Sequence, residues 1–320
     1  MEQKIMNIAI AVDEKFIKYA CVMLASVFEN HRDRELQVFV MYGQAAETEL
    51  EHFRELASRY NQTIHLVKMK KEWFPEKLPH TKEWPLEVYY RLALPDILPE
   101  DIERILYLDV DVIVKDSIWD FYNTDFQGKS LCVCPDMSAL NGGMSYAQQE
   151  LFCEHMGNPE FQYFNSGILL MNLVKMRENV TLDFFIQTAM QIHIAVADQD
   201  LLNYVFYKDV RYLEETKYNL FAKIAYNQGL GYDWVKENTS IIHFAGRKPW
   251  QHEALHFNTE KFWWQYAKLT PFYTQLLEDL VWNEVDSGFM NDTVEKLNRE
   301  KLELSTALEK CMDLLKRIGM

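Results

Sequence analysis

The chain has 320 residues, of which 48% are hydrophobic and 14% aromatic, a composition that builds a large core and excludes general disorder. It carries 33 basic and 48 acidic residues, for a formal net charge of −15. Proteins that bind nucleic acids or anionic membranes need a dominant basic surface, so this balance argues against both classes. An anionic ligand would have to be held by a local group of cations or by a metal ion.

Two further properties bear on the compartment. No stretch approaches the roughly 18 apolar residues of a membrane span, and the first apolar run is too short for a signal peptide. The five cysteines form neither an even disulfide framework nor a zinc-like spacing with histidines, and Cys132 and Cys134 alternate as core thiols on a strand would. We expect a protein of the reducing cytosol, with peripheral attachment to the inner face of the membrane as an alternative.

Strands and helices alternate through the first half of the chain. Apolar, β-branched runs predict four strands, at residues 5–12, 35–42, 63–69 and 104–114. Amphipathic helices follow the first two strands, and a short helix over 86–98 is predicted to stop near Pro95. This alternation predicts a mostly parallel α/β sheet covered on both faces, in which ligands bind beyond the carboxyl ends of the strands.

Polar residues adjoin apolar runs at three places in the second half. The segment EFQYFNSGILLMNL predicts a strand entered through Asn165, Ser166 and Gly167. In VADQDLLNYVF, Asp198 is predicted to cap a helix. The segment TSIIHFAGRKPW predicts a strand that leaves through His243 into a glycine turn.

The last thirty residues carry a heptad pattern. Its positions, with a lysine as the one polar member, are Met290, Val294, Leu297, Lys301, Leu304, Leu308, Cys311, Leu315 and Ile318. Steps of four and three alternate, as in a coiled coil, so we predict a homo-oligomer formed through residues 290–318. A single helix that packs back on the domain would use a similar stripe and is the alternative. We divide the chain into a domain at 1–275 and a C-terminal helical extension at 276–320.

Two carboxylates interrupt an apolar run in ERILYLDVDVIV. Asp109 and Asp111 stand at i and i+2 of one predicted strand, so they point to the same face with Cα atoms about 6.5 Å apart. An octahedral cation can accept both carboxylates, whereas burying them unpaired would cost roughly several kcal/mol. They are therefore predicted to form a divalent-metal site, and a strand-end pair that caps loop amides is the alternative.

The segment IIHFAGRKPW adds to this prediction. His243 follows an apolar strand, so its ring could supply the nitrogen ligand that favours manganese over magnesium. Gly246 lets the backbone approach a ligand closely, and Arg247 and Lys248 offer cations for a diphosphate. The alternative is a half-buried His243 whose hydrogen bonds are satisfied within the protein.

Four segments, LYLDVDVIV, YFNSGILLMNL, ADQDLLN and HFAGRKPW, resemble in order and separation the retaining glycosyltransferases of family 8. That family includes glycogenin and the bacterial lipooligosaccharide α-galactosyltransferases. The resemblance extends through IAIAVDEKFIKYACVMLASV and VYYRLALPDIL and covers roughly residues 5–275. It implies a GT-A fold for the catalytic domain at 1–275, a Rossmann-like, mostly parallel sheet flanked by helices. It also implies transfer of glucose or galactose from a UDP-sugar to a glycan, glycolipid or glycoprotein.

The resemblance implies roles for the residues that match the family's motifs. Asp109, Asp111 and His243 would hold Mn²⁺, with Mg²⁺ as the alternative, against the diphosphate of the UDP-sugar. Lys248 and Gly246 would bind the phosphates. These five residues would form the metal and phosphate end of the site.

Four more matching residues would form the base and sugar end. By resemblance, Asp13 would face the uracil or the ribose, and Arg91 would orient the donor sugar and the carboxylates. Asn165 and Ser166 would contact hydroxyl groups of the donor or of the acceptor.

The reacting centre is assigned to the segment ADQDLLN. By resemblance, Asp198 would grip hydroxyls of the donor sugar and Gln199 would lie beneath the anomeric carbon. Because Gln199 is not a carboxylate nucleophile, we favour a front-face mechanism in which the leaving phosphate accepts the acceptor's proton. A double displacement needs a carboxylate close to the anomeric carbon, and Asp198 and Asp200 are the nearby candidates.

The chain departs from the family pattern in three places. Lys15 stands where galactosyltransferase relatives carry an asparagine near the base. The turn GRKPW is one residue shorter than the common Gly-x-x-Lys-Pro-Trp form, so Arg247 could share the phosphate contact. The acidic heptad tail stands where lipooligosaccharide enzymes have basic segments. Trp250, beside the turn, is the aromatic residue that we expect to stack on an acceptor sugar.

Two other functions stay open at this point. A phosphotransferase of the haloacid dehalogenase type also uses a strand-end Asp-x-Asp with Mg²⁺. That class places its motif near the N-terminus and adds a paired acidic motif such as Gly-Asp-x-x-x-Asp, which this sequence lacks. A glycogenin-like scaffold that glycosylates itself on a tyrosine would use the same site residues as the transferase.

Overall fold

The computed structural model describes residues 5–75, 77–78, 85–140, 142–154, 161–252 and 257–317. Its strands are β1 (Ile5–Val12), β2 (Glu35–Tyr42), β3 (Thr63–Lys68), β4 (Arg104–Leu108), β5 (Val112–Val114), β6 (Leu131–Pro135), β7 (Phe164–Asn172), β8 (Val210–Tyr212), β9 (Leu220–Phe221) and β10 (Ile241–His243). They form a seven-stranded sheet in the order β3-β2-β1-β4-β7-β6-β8 and a three-stranded sheet in the order β5-β10-β9.

Helices cover these sheets and extend beyond them. The α-helices are α1 (Ile17–Glu29), α2 (Glu47–Tyr60), α3 (Leu94–Ile97), α4 (Trp119–Tyr122), α5 (Met137–Leu140), α6 (Tyr146–Leu151), α7 (Leu173–Asn179), α8 (Leu182–Ala189), α9 (Ala197–Phe206), α10 (Glu215–Tyr218), α11 (Ala222–Asn227), α12 (Tyr232–Asn238), α13 (Glu260–Ala267), α14 (Tyr273–Ser287) and α15 (Phe289–Arg317). The 3-10 helices are Glu14–Phe16, Lys71–Trp73 and Leu86–Ala93. Among the helices of these described ranges, none is both long enough and apolar enough to span a bilayer.

The larger sheet is mostly parallel, as the alternation of elements predicts. β1 pairs in parallel with β2 and with β4, and β2 pairs in parallel with β3. β7 runs antiparallel to both of its neighbours, β4 and β6. This reversal places the first residues of β7 beside the last residues of β4, where Ile168 pairs with Leu108.

A hydrophobic core lies on each face of this sheet. Along β1, Ile8 and Ile10 point into one core, which also contains side chains of α1 and α2, and Ala9 points into the other. The second core contains side chains of the 3-10 helix Leu86–Ala93 and of α9. Burying a large apolar side chain contributes roughly 1.5–3 kcal/mol, so both layers of helices stabilise the sheet strongly.

The predicted fourth strand is divided in two. β4 ends at Leu108 and β5 begins at Val112 in the smaller sheet, and Asp109 to Asp111 form the connection between them. The prediction that the two aspartates share one strand is therefore wrong. A connection suits them better physically, because a strand covered on both faces would bury both charges away from water and from a cation.

The segment 86–98 also differs from its prediction. It begins as the 3-10 helix Leu86–Ala93 and continues as α3, which has Pro95 in its first turn. Pro95 thus starts a short helix and does not stop one, because the first helical positions have no hydrogen-bond partner for an N–H that proline lacks.

The C-terminal segment forms two helices. α14 buries Leu276 in the core and ends at Ser287, and Gly288, which has a φ of +64°, caps it. The predicted division at residue 275 falls inside α14 and stays a prediction. In α15, the heptad side chains are exposed, from 49% for Val294 to 72% for Leu304. Because these side chains are exposed, the alternative that the stripe packs back on the domain is wrong for the described heptad positions. The Leu315 side chain and Ile318 fall outside the described residues.

Candidate active site

A cleft of 290 Å³ opens at the carboxyl ends of the parallel strands, close to the lower end of the range for ligand pockets, about 300–1,000 Å³. It brings together the predicted site residues Asp13, Arg91, Asp109, Asp111, Asn165, Ser166, Asp198, Gln199, His243, Gly246 and Lys248. Asp200 is fully buried and does not line the cleft.

Strand direction explains one wall of the cleft. Asp13 follows β1 and Asp109 follows β4, and these parallel strands end at the same edge of the sheet. Asn165 and Ser166 lie at the beginning of β7, which runs the opposite way, so they reach the same edge. The Asp109 N–H donates to the Gly167 carbonyl at 2.8 Å, which extends the β4–β7 ladder to the aspartate.

The smaller sheet supplies the opposite wall. β5 and β10 are antiparallel, and His243 at the end of β10 pairs with Val112 at the beginning of β5. The Phe244 N–H donates to the Asp111 carbonyl at 3.0 Å. The turn after β10 continues through Gly246, which has a φ of +84°, to Lys248. The pairing of two short strands therefore sets His243 and Asp111 side by side.

Asp109, Asp111 and His243 fit a divalent cation. One ligand atom from each lies within 4.8 Å of the others. The Asp111 Oδ1 atom lies 3.3 Å from His243 Nε2, and it is buried without a hydrogen-bond partner. A buried carboxylate oxygen in this position is costly unless a cation or a proton compensates it. Two carboxylates and one imidazole are a donor set that suits Mn²⁺.

Gly167 makes room for this cluster. A Cβ atom at this position would lie 2.6 Å from His243 Cε1 and 2.7 Å from Asp109 Oδ2. Real Cβ atoms do not approach heavy atoms so closely, so any larger residue would push the His243 and Asp109 side chains apart. The sequence pattern marks Gly167 as part of a motif, but only the fold shows what the missing side chain permits.

Asp111 is also paired with Lys248. Burial alone would raise the pKa of Asp111, but the charge of the Lys248 ammonium holds this pKa well below its usual range. The Lys248 ammonium contacts Asp111 Oδ2 and donates to the Phe244 carbonyl at 3.0 Å. Asp111 is therefore ionised, and the Lys248 amine lies at the cleft within reach of a bound anion.

Arg91 links Asp109 to Asp198. It is 3% exposed, its Nη2 lies 2.8 Å from Asp109 Oδ1, and its Nε lies 3.2 Å from Asp198 Oδ2. Its guanidinium also stacks over the Tyr107 ring at 4.1 Å. Burial raises the pKa of Asp198 to about 6, although Arg91 acts in the opposite direction. Arg91 thus fixes the spacing between a predicted metal ligand and a predicted sugar contact.

Gln199 is held rigidly at the base of the cleft. Its Oε1 accepts from the Ser166 N–H at 3.0 Å and from Asn165 Nδ2 at 2.9 Å. Its Nε2 donates to Asp136 Oδ2 at 3.2 Å. Asp136, which the sequence reasoning missed, follows β6 directly, and its position after a strand was the signal that could have identified it.

Asp200 holds the backbone that precedes α9. Its Oδ1 accepts from the Tyr163 hydroxyl at 2.5 Å and from Gln148 Nε2 at 3.1 Å. Its Oδ2 accepts from the N–H groups of Ala195 and Val196, each at 2.7 Å. Both carboxylate oxygens are thus occupied, which gives Asp200 a structural place outside the cleft and leaves its predicted catalytic role without support from the geometry.

The predicted helix cap is also corrected. Val196 stands at the N-cap position of α9, and Asp198 lies in the first turn with its carboxylate directed at Arg91. Ala197 has a φ of +28°, a conformation that alanine rarely adopts. The hydrogen bonds of Asp200 to the preceding backbone hold this strained turn, and the turn directs Asp198 and Gln199 toward the cleft.

Asp13 and Trp250 are the remaining residues for which the sequence predicted a ligand contact. Asp13 accepts from the Phe16 N–H at 2.9 Å and lines the cleft together with Phe16. Trp250 stacks on Tyr19, with ring centroids 4.1 Å apart, and packs against Trp263. Trp250 is nevertheless half-buried and lines a second cleft, so the expectation that its ring stacks on an acceptor sugar stays a prediction.

Known proteins match this chain over most of its length. A family model described as glycosyl transferase family 8 matches residues 7–254. The chain is 27% identical over 274 residues to a lipopolysaccharide 1,2-glucosyltransferase of Escherichia coli, covering 82% of this chain and 78% of that protein. It is 24% identical over 250 residues to a lipopolysaccharide 1,3-galactosyltransferase of Salmonella typhimurium, covering 76% and 72%.

One solved structure that is similar to this chain is that of the galactosyltransferase LgtC in complex with donor and acceptor sugar analogs. It aligns with a TM-score of 0.67 and 24% identity, over 83% of this chain and 96% of that chain. This likeness confirms the predicted GT-A fold. Because the family model spans most of the chain, the protein belongs to glycosyl transferase family 8.

Proposed function

We propose that this glycosyltransferase transfers glucose or galactose from a UDP-sugar, with retention of configuration, to a glycan, glycolipid or glycoprotein acceptor. We further propose that it uses Mn²⁺, with Mg²⁺ as the alternative. The observation that carries this proposal is the buried, unpartnered Asp111 Oδ1 facing His243 Nε2 beside Asp109. A divalent cation would compensate this oxygen, and the three side chains adjoin a cleft that also holds Lys248, which could contact a phosphate.

The phosphate end of the cleft would stabilise the leaving group. A bound divalent ion would supply positive charge against the charge that develops on the diphosphate. Lys248 would donate to a phosphate oxygen, since its side chain is 20% exposed at the cleft. Gly246 brings the backbone of the turn to the cleft wall in a conformation that favours glycine. Preorganised donors of this kind act without reorganisation during the reaction.

The sugar end would orient the donor for attack on one face. Asp198 would accept hydrogen bonds from sugar hydroxyls while Arg91 fixes its position. Gln199 has its oxygen occupied by Asn165 and Ser166, so it would serve as a rigid support and not as a nucleophile. We favour the front-face mechanism. Double displacement ranks second, with Asp198 as its candidate, because both oxygens of Asp200 are occupied.

The relatives support the choice of donor and acceptor. Those reported above are named for glucosyl or galactosyl transfer to lipopolysaccharide, which suggests a hexose donor and a glycan or glycolipid acceptor here. All five cysteines carry free thiols, two of them exposed, which fits a reducing compartment. We therefore propose a cytoplasmic enzyme, with peripheral attachment to the inner face of the membrane as the alternative.

The donor is tested by measuring UDP release from a panel of UDP-sugars. With Mn²⁺, UDP-glucose or UDP-galactose should give release that rises when acceptors from a glycan array are added, and a chelator should remove it. NMR of the product should show the α-configuration of the donor. If no UDP-sugar is turned over with any acceptor, the proposed donor class is wrong.

The two alternatives give different results in the same samples. Incubation with UDP-glucose and Mn²⁺ should leave the intact mass unchanged, whereas a glycogenin-like scaffold would gain one or more hexoses. A phosphotransferase would release phosphate from a model phosphoester with Mg²⁺ and without any UDP-sugar. We expect neither reaction.

We also propose that the chain forms a homo-oligomer through residues 290–318. The α15 residues Met290, Leu297 and Leu308 are each about 60% exposed, at 58%, 58% and 62%. A heptad stripe of this kind on an exposed helix is typically buried by a second helix of the same type. The structure leaves the stripe free for such a contact along the described part of α15.

Removing residues 290–320 should lower the mass measured by light scattering to that of one chain. Because the apolar seam would be lost, Leu304→Asp combined with Leu308→Asp should have the same effect. Leu302→Asp is the matched control, since Leu302 is 68% exposed but lies off the stripe. An unchanged mass in the truncated protein would disprove the coiled coil.

A further inference from the structure

A chain of buried side chains runs from the proposed metal site to the proposed reacting centre. His243 Nδ1 lies 2.8 Å from Asn219 Oδ1, and Asn219 Nδ2 lies 3.0 Å from Asn165 Oδ1. Asn165 Nδ2 then donates to Gln199 Oε1 at 2.9 Å. All four residues are buried, and Asn219 is 0% exposed, so each contact is made by the protein and not by bulk water.

A backbone group fixes the direction of the amides in this chain. The Gly167 N–H can only donate, so Asn165 presents its oxygen to that group at 3.1 Å and its NH₂ group to Gln199. Asn219 must therefore turn its NH₂ group toward the Asn165 oxygen. Its own oxygen is left facing His243 Nδ1, and an amide oxygen can only accept a hydrogen bond.

The direction of Asn219 determines the tautomer of His243. Neutral His243 must carry its hydrogen on Nδ1, which leaves the Nε2 lone pair facing Asp111 Oδ1. We propose that Asn219 is a positioning residue that holds His243 in its metal-binding tautomer and, through Asn165, aligns Gln199. This proposal rests on the proposed metal-dependent transfer, and it adds a residue that couples the metal site to the reacting centre.

Sequence reasoning gave no sign of this role. Asn219 precedes the two-residue strand β9, and its neighbours in YNLFA are apolar or aromatic. β9 pairs in parallel with β10, where Phe221 is opposite His243, and this pairing brings Asn219 to the histidine. A lone asparagine before a short strand has many structural explanations, so only the pairing reveals its partner.

The tautomer is tested first in the unsubstituted protein without metal. Long-range ¹H–¹⁵N correlation of labelled protein should show that neutral His243 carries its hydrogen on Nδ1, with His243→Gln used to identify the signals. A neutral ring that carries its single hydrogen on Nε2, measured at a pH where the imidazolium signals are absent, would overturn the proposal. This measurement requires no variant to fold and no activity, so it does not depend on the proposed reaction.

Two variants then separate the hydrogen bond of Asn219 to His243 from its hydrogen bond to Asn165. Asn219→Ala removes both, and the Mn²⁺ affinity of the nucleotide-free protein, read from the EPR signal of free Mn²⁺, should fall about 10- to 100-fold. Asn219→Asp keeps an acceptor for His243 but turns a carboxylate oxygen toward the Asn165 oxygen. Its Mn²⁺ affinity should stay within about threefold of the original, while kcat falls by up to about 100-fold because Gln199 is displaced.

The matched control is Asn203→Ala. Asn203 is equally buried and bonds only to backbone groups in its described contacts, those of Phe164 and Gln199. Its loss should lower the Tm without changing the Mn²⁺ affinity. Equal losses of affinity in the Asn203 and Asn219 alanine variants would reduce Asn219 to a structural role and overturn the proposal. If the original protein shows the predicted tautomer but binds no Mn²⁺, the metal proposal fails and the tautomer inference stands.

Discussion

Asp111→Asn should lower Mn²⁺-stimulated UDP release by about 10³-fold or more, because a metal supplies several kcal/mol of charge stabilisation and each 1.36 kcal/mol is a factor of ten. The change removes the charge that faces His243 and pairs with Lys248, and it leaves the side-chain volume nearly unchanged. Steady-state UDP release and Mn²⁺ binding should fall together, whereas the circular dichroism spectrum should match that of the original protein.

The control for this change is Asp116→Asn. Asp116 lies five residues further along the chain, and its side chain is 67% exposed outside the cleft. This variant should retain both UDP release and Mn²⁺ affinity. Full activity of Asp111→Asn would remove the basis for assigning the metal to Asp109, Asp111 and His243.

Gly167→Ala should reduce Mn²⁺ affinity and UDP release by about 100-fold, since a displacement of 1 Å in a catalytic group has an effect of that size. The added Cβ would lie 2.6 Å from His243 Cε1 and 2.7 Å from Asp109 Oδ2, so the side chain of His243 or of Asp109 must move. Overpacking of this kind costs about 1–3 kcal/mol of stability, which the free energy of unfolding should show.

Gly231→Ala is the matched control for this prediction. A Cβ at Gly231 meets no atom within 4 Å, and the φ of −76° suits any residue. The control should therefore keep its Mn²⁺ affinity and activity. A Gly167→Ala protein that binds Mn²⁺ as tightly as the control would show that the ligands tolerate the extra atom, contrary to the geometry.

Local sequence patterns predicted the strands of the larger sheet well. β1 and β2 have the predicted bounds because their apolar, β-branched residues have no competing signal. The same reasoning predicted β4 and β5 as a single strand, because Val110 and Val112 continue the apolar run across the two aspartates. Whether a chain stays in one sheet or passes to another depends on partners far away in sequence, and β5 pairs with β10, which lies more than 120 residues further on.

The sequence predicted those residues of the candidate site that lie within a short motif of polar and apolar residues. Asp109, His243 and Lys248 stand in such motifs, and the fold brings them to one cleft. Asp136 and Asn219 were missed because each is a lone polar residue whose role depends on a neighbour from a distant segment. Asp200 shows the reverse error. Its position next to Gln199 suggested chemistry, but its hydrogen bonds hold the backbone of the turn before α9.

The passage from β4 to β5 has a consequence for protein engineering. Asp109 follows the last residue of β4 in the larger sheet, and Asp111 precedes the first residue of β5 in the smaller one. The distance between the two carboxylates therefore depends on how the two sheets pack against each other. Ile113 and Ile242 pair across the smaller sheet and are fully buried without lining the cleft, yet a change in their volume would tilt Asp111 and His243 together. A library meant to change the sugar accepted by this enzyme should therefore vary the cleft rim and leave the interior of the smaller sheet untouched.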